Sequence, residues 1–199
     1  MKIVDLGLTD YLVTYQAMRE FTHKRTNTTE DELWLLEHPP VYSQGKKSAG
    51  YHTPNNTIPL VNVDRGGQMT YHGPGQLIAY LLIDLKRRQL GIKAMVRYIE
   101  NSIIHLLADY GIIAEADPDA PGVYVKGKKI ASLGLKVSNG ACYHGVSLNV
   151  DMDLQPFDNI TPCGQVDMVM VDMKHYAPAV LMTTVKQQFS QHFIAQLTR

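Results

Sequence analysis

The 199-residue sequence reads as an α+β chain, and three observations carry that reading. Between Gly122 and Val150 three runs, GVYV, IASLGLKV and CYHGVSLNV, are separated by a KGKK turn and an SNGA turn holding Asn139 and Gly140. That spacing predicts an antiparallel meander. From Ile92 to Tyr110 the residues Met95, Val96, Ile99, Ile103, Leu106 and Leu107 recur at helical spacing before Gly111, which predicts a helix ended by a C-terminal glycine. Strands and helices come in mixed order without a βαβ repeat, so a doubly wound parallel sheet is not expected.

The remaining elements follow in order. Thr9 and Asp10 cap a helix from 10 to about 25, with Leu12, Tyr15, Met18 and Phe21 on its inner face. LWLLEH predicts a buried strand, ended by Pro39 and Pro40, and Val41 to Pro59 predicts a long polar loop of the kind that often serves as a lid. The run ending Val61, Asn62, Val63, Asp64 and the run LIAYLLIDL predict two strands, and a last helix after Thr183 carries Val185, Phe189, Phe193 and Leu197. No repeat, low-complexity segment or linker interrupts residues 1–199, so a single domain is expected.

Composition excludes several classes. The chain is 45% hydrophobic and 19% charged, with 19 basic and 19 acidic side chains, ordinary values for a domain that buries a sizeable core. A nucleic-acid binder usually has a basic excess, so no nucleic-acid partner is expected. Two cysteines do not make a disulfide framework, the N-terminus lacks a cleavage pattern, and no apolar run approaches the roughly 18 residues that span a bilayer. A soluble cytoplasmic protein is expected, without a membrane partner.

Residues 65–76, RGGQMTYHGPGQ, hold four glycines in twelve positions, an opening through which a ligand can approach the backbone. Arg65, Thr70, Tyr71, His72 and Gln76 add a charge, hydroxyls, an imidazole and an amide. The pattern is neither a P-loop nor a dinucleotide fingerprint, because no Lys-Ser/Thr pair follows the last glycine and Pro74 and Gly75 lead into an apolar run rather than a helix.

Cys163 lies in NITPCGQ, where Pro162 and Gly164 exclude regular structure and leave the thiol accessible. Cys142 starts a strand whose alternate positions His144, Val146, Leu148 and Val150 are mostly apolar, so Cys142 is expected to face the core. A nucleophilic thiol needs a partner that stabilises its thiolate, and His72, His144 and the KGKK lysines are the candidates. Lys126 and Lys128 share one parity and Lys129 has the other, so Lys129 is expected to turn inward while its neighbours face water. No HExxH or CxxC spacing is present, and no metal is expected.

Read together, RGGQMTYHGPGQ, GVYVKGKKIASLGLKV, CYHGVSLNV and NITPCGQ resemble the motifs of the lipoyl(octanoyl) transferase family, from about residue 33 through Gln165. The resemblance implies a central mixed sheet flanked by helices, similar to the catalytic module of biotin and lipoate protein ligases. It implies Cys163 as the acyl-thioester nucleophile and Lys129 as the residue that lowers its pKa and relays protons. It further implies an acyl site walled by Arg65, Gly66, Gly67, Gln68, Met69, Thr70, Tyr71 and His72, by Ser132, Leu133 and Gly134, and by Gly145, Val146 and Ser147. Leu135 and Leu148 add apolar lining. No cofactor is implied beyond the phosphopantetheine arm of acyl carrier protein that carries the donor acyl group, and the acceptors are lipoyl domains and the glycine-cleavage H protein. Five cations in twelve residues, Lys86, Arg87, Arg88, Lys93 and Arg97, are suited to steering an acidic carrier. Two other classes share some of these features: an ATP-dependent lipoate or biotin ligase, which needs a nucleotide site and no catalytic cysteine, and a carrier-binding module without catalysis.

Overall fold

The computed structural model describes residues 1–48, 57–160 and 168–198. Its main sheet has seven strands. These are β1 (Lys2–Leu8), β2 (Glu32–Glu37), β6 (Gln76–Asp84), β7 (Glu115–Ala116), β8 (Gly122–Val125), β9 (Lys128–Ser138) and β10 (Ala141–Asn149), in the spatial order β1-β2-β6-β10-β9-β8-β7. The β1–β2 pair is parallel and the others are antiparallel, so the sheet is mixed and the expected meander is its β8-β9-β10 part. A second sheet joins β3 (Val41–Gln44) to β4 (Leu60–Asn62) and β5 (Met69–His72), in the order β4-β3-β5.

Helix α2 (Ile92–Asp109) and helix α3 (Met182–Leu197) cover one face of the main sheet. Met95, Ile99, Ile103, Leu106 and Leu107 of α2 and Val185, Phe189 and Phe193 of α3 pack there on Leu77, Ala79, Leu81 and Ile83 of β6. The alternate β6 residues Ile78, Tyr80 and Leu82 pack on Tyr11, Tyr15 and Met18 of helix α1 (Tyr11–Lys24) on the other face. A strand buried on both faces reads as the unbroken apolar run LIAYLLIDL.

Asp10 caps α1, its carboxylate accepting from the Val13 N–H at 2.9 Å. The helix rests on Tyr11, Thr14, Tyr15, Met18 and Thr22, whereas Leu12 faces water, 46% exposed. Two threonines on the inner stripe, one of them bonding back to the Asp10 carbonyl, disguised that face in the sequence. The expected 41–59 loop begins as strand β3, its Gly50 and Pro54 lie outside the described residues, and β5 runs inside the glycine-rich segment. Strand β1 gave no signal because its residues are mostly exposed, so no alternation marks it. No described helix is long and apolar enough to cross a membrane.

Candidate active site

The three wall segments meet at the centre of the main sheet. On β9 and β10 Ser132 pairs with Ser147, Leu133 with Val146, and Gly134 with Gly145. A Cβ on Gly145 would strike the Ala79 carbonyl oxygen, so only glycine allows β10 to approach β6 this closely. Opposite Gly134, the Arg65–Gly67 segment folds over β9, with the Gly66 N–H bonded to the Leu135 carbonyl at 3.0 Å. A turn after β3 holds that segment from outside, through Lys46 N–H to Arg65 O and Lys47 N–H to Gly67 O.

The resulting cleft is lined by Arg65, Gly67, Gln68, Met69, Thr70 and His72, by Ser132, Leu133 and Gly134, and by Gly145, Val146 and Ser147. Tyr11, Ile78, Tyr80 and His144 complete it. Gly66 and Leu135 instead border a neighbouring cleft, which shares Gly67, Gln68, Leu133 and Gly134 with the first and contains Lys129. Two expected lining residues are corrected. Tyr71 packs on Tyr42 and Phe157, since strand alternation sends it away from Thr70 and His72, and Leu148 sits in the core beneath the helices.

Behind the cleft runs a directed chain of hydrogen bonds. Arg65 Nη2 donates to the Ser43 carbonyl at 2.6 Å and to Ser43 Oγ at 2.9 Å. The Ser43 hydroxyl then donates to His72 Nε2 at 3.0 Å, His72 Nδ1 donates to Gln76 Oε1 at 2.8 Å, and Gln76 Nε2 donates to Asn149 Oδ1 at 3.0 Å. Burial pushes the His72 pKa well below its usual value, with His38 and Arg65 adding repulsion, so the ring is neutral and the donor directions above are the consistent set. Both ring nitrogens of His72 are thus engaged within the protein, and the ring holds Ser43 and Gln76 in place.

His144 breaks the alternation of its strand. Its backbone φ of +60° turns the ring out of the strand alternation, and it stacks on Tyr15 and Tyr143 instead of entering the core beside Cys142. Such a conformation costs about 1–3 kcal/mol. Asp64 anchors it, accepting from Nε2 at 3.1 Å and from the Tyr143 hydroxyl. Burial lowers the His144 pKa although Asp64 opposes it.

Lys129 turns inward as its parity predicts: it is 1% exposed, while Lys126 and Lys128 are exposed. Pairing shifts on β9 so that Lys129 faces Tyr124 and Ala131 faces Val123, a bulge that aims one side chain across the sheet edge. Its Nζ donates to the Pro121 carbonyl at 3.3 Å and lies 5.3 Å from the centre of the Tyr124 ring. Its backbone N–H and C=O pair with Val169 and Val171. Cys163, Gly164 and Gln165 lie outside the described residues. Cys142 is fully buried, its thiol pushed up to about 12 by burial, which removes it as a nucleophile.

A sequence profile of the lipoyl protein ligase A/B catalytic domain matches residues 10–194. The chain belongs to that family. The octanoyltransferase of Nitrosomonas eutropha is 52% identical to it over 98% of this chain and 88% of its own. Those of Legionella pneumophila and Neisseria meningitidis are 51% and 50% identical, over 98% and 100% of this chain and 99% and 97% of theirs. Among solved structures, lipoate-protein ligase A bound with ATP matches with a TM-score of 0.82 at 16% identity, over 99% of this chain and 85% of that one. Biotin protein ligase from Aquifex aeolicus in complex with biotin and ATP gives 0.64 at 12%, over 99% and 70%. These likenesses show a shared fold, the mixed sheet flanked by helices.

Proposed function

We propose that this chain is an octanoyltransferase of protein lipoylation, moving an octanoyl group from octanoyl-acyl carrier protein to a lysine of a lipoyl domain or H protein through a thioester on Cys163. What carries the reading is a buried lysine beside an apolar-walled, glycine-floored cleft, in a chain half identical over its length to octanoyltransferases. In the first half-reaction the Cys163 thiolate attacks the donor thioester carbonyl, the bond to the phosphopantetheine sulfur breaks, and the Lys129 ammonium protonates the departing thiolate. In the second, the acceptor amine attacks the Cys163 thioester, Lys129 takes the amine proton, and the Cys163 thiolate leaves. Backbone amides of the glycine segment or Gly164 suit the oxyanion, at about 3 kcal/mol per donor.

The carrier is expected to dock where Lys47, Lys93 and Arg97 are exposed, close to Ile92 and Val96 at the rim of the Lys129 cleft. Arg87 and Arg88 of the expected steering cluster are instead engaged by Asp31, at 2.7 Å each. The test is to incubate the protein with octanoyl-acyl carrier protein without ATP and follow its intact mass. An octanoyl adduct that is absent in Cys163→Ala and discharges onto a lipoyl domain is the expected result. Transfer that requires ATP supports a ligase instead, and carrier binding without any adduct supports a binding module.

A further inference from the structure

Helix α2 buries an acid. Glu100 is 6% exposed on a face otherwise made of Met95, Ile99, Ser102, Ile103, Leu106 and Leu107. A carboxylate is rarely placed there without a partner that repays its loss of water. Its Oε1 accepts from the Gly122 N–H at 3.2 Å. The other end of that same peptide group is the Pro121 carbonyl, which accepts from Lys129 Nζ at 3.3 Å. Glu100 and Lys129 are thus joined through one peptide plane. Gly122 also makes room for the lysine, since a Cβ there would lie 2.6 Å from Lys129 Cε and 3.1 Å from Nζ.

We propose that Glu100 is a positioning residue that holds Lys129 in place, and in its ammonium form, through the Pro121–Gly122 peptide. An acceptor on a peptide N–H draws electron density toward the carbonyl and strengthens it as an acceptor, and a buried negative charge favours a nearby ammonium directly. The inference rests on Lys129 acting as the proton carrier. Burial raises the Glu100 pKa, and the Gly122 N–H and the Lys129 charge oppose that rise, in keeping with an ion pair across the peptide. Among the described residues, Lys129 also faces Tyr124 of β8, with Asp119 and Lys47 lining its cleft, both exposed. Lys128 beside it is exposed, and Asp172 beyond Val171 accepts from the Met152 and His175 N–H groups. Solvent screens the exposed charges, so among the described residues Glu100 is the least screened charge near Lys129.

The experiment is the pH profile of kcat/KM for octanoyl transfer from carrier protein to a lipoyl domain. Glu100→Gln keeps an oxygen for the Gly122 N–H and removes the charge. Losing the charge lowers the pH at which Lys129 gives up its proton, so the alkaline limb moves down by about one unit, a tenfold loss of rate beyond the limb. The KM for the carrier is expected to stay within about twofold, as binding is not the step affected. Glu100→Asp keeps the charge but draws it back, and moves the limb by less. A limb unmoved in both variants, or an equal loss at every pH, overturns the inference, and if the Gln variant does not fold the Asp variant decides alone. Lys129→Met separates the two levels. Should it retain full transfer, the proton role of Lys129 on which the inference rests fails; should it be silent while Glu100→Gln leaves the limb in place, only the role of Glu100 fails; and a parent protein that transfers nothing without ATP fails the proposed function instead.

Discussion

Adjacent lysines on β9 have opposite surroundings, and substitution separates them. Lys129→Met is expected to raise the pH at which Cys163 reacts with iodoacetamide and to slow octanoyl transfer by orders of magnitude, while Lys128→Met does neither; each unit of thiol pKa corresponds to about 1.4 kcal/mol. An unchanged alkylation profile in a folded Lys129→Met protein would show that the lysine does not tune the thiol. Cys142→Ala is expected to retain most of the transfer and to lower stability by about 1 kcal/mol, because it removes a fully buried sulfur from a packed core. Loss of transfer in that variant at normal stability would misplace the nucleophile. Lys129 was legible because it has the opposite parity to Lys126 and Lys128, which face water, and Cys142 because its apolar neighbours share its face. Glu100 was not, since one acid within a helical stripe reads as part of the wet side until the packed strand beyond it is seen. The roles of Ser43, Tyr11 and Tyr80 were hidden for a similar reason: they come from segments far apart in the sequence that only the folded sheet brings together.

Strand β10 carries two backbone devices in succession, a left-handed His144 and a glycine pressed against Ala79. Gly145→Ala is expected to be severely destabilising, about 3 kcal/mol or more, because the clash is with a backbone carbonyl that can retreat only by opening the β6–β10 pair. Gly134→Ala places its Cβ 3.1 Å from Arg65 Cδ and from the Gly66 oxygen, a milder approach than at Gly145, and is expected to cost less stability but to impair transfer by lifting the glycine segment. Thermal melts beside activity assays check both, and similar losses of melting temperature would contradict the distinction. The meander and α2 were visible in the sequence because their turns and stripe are local. Strands β1, β3 and β5 were not, since the first is exposed and the other two are four residues each, set within polar or glycine-rich sequence. His144 escaped because alternation assumes an ordinary φ.

Across the molecule, one carboxylate ties four segments together. Asp31 lies 2.9 Å from Arg25 at the end of α1 and 2.7 Å from both Arg87 and Arg88, and it accepts from the Asp84 N–H where β6 ends. Burial alone would raise its pKa, but the Asp84 N–H and the arginines outweigh it and hold the carboxyl below its usual range. The folded state therefore binds this proton less readily than the unfolded chain. The resulting stability is present above pH ~4 and is lost as pH falls through the folded value. Asp31→Asn leaves the guanidiniums facing one another and is expected to cost about 3 kcal/mol at neutral pH, roughly 6–12 °C in melting temperature for a chain of this size. The difference from the parent protein should shrink in acid, and a difference independent of pH would show that charge is not the cause.

The pairing of Lys129 with Val169 and Val171 also sets an order of events in time. Every strand of the main sheet ends by Asn149, whereas this bond comes from position 169, which leaves the ribosome later. A ribosome-bound chain that has not yet emerged beyond Val171 would hold a nearly finished sheet and no working enzyme.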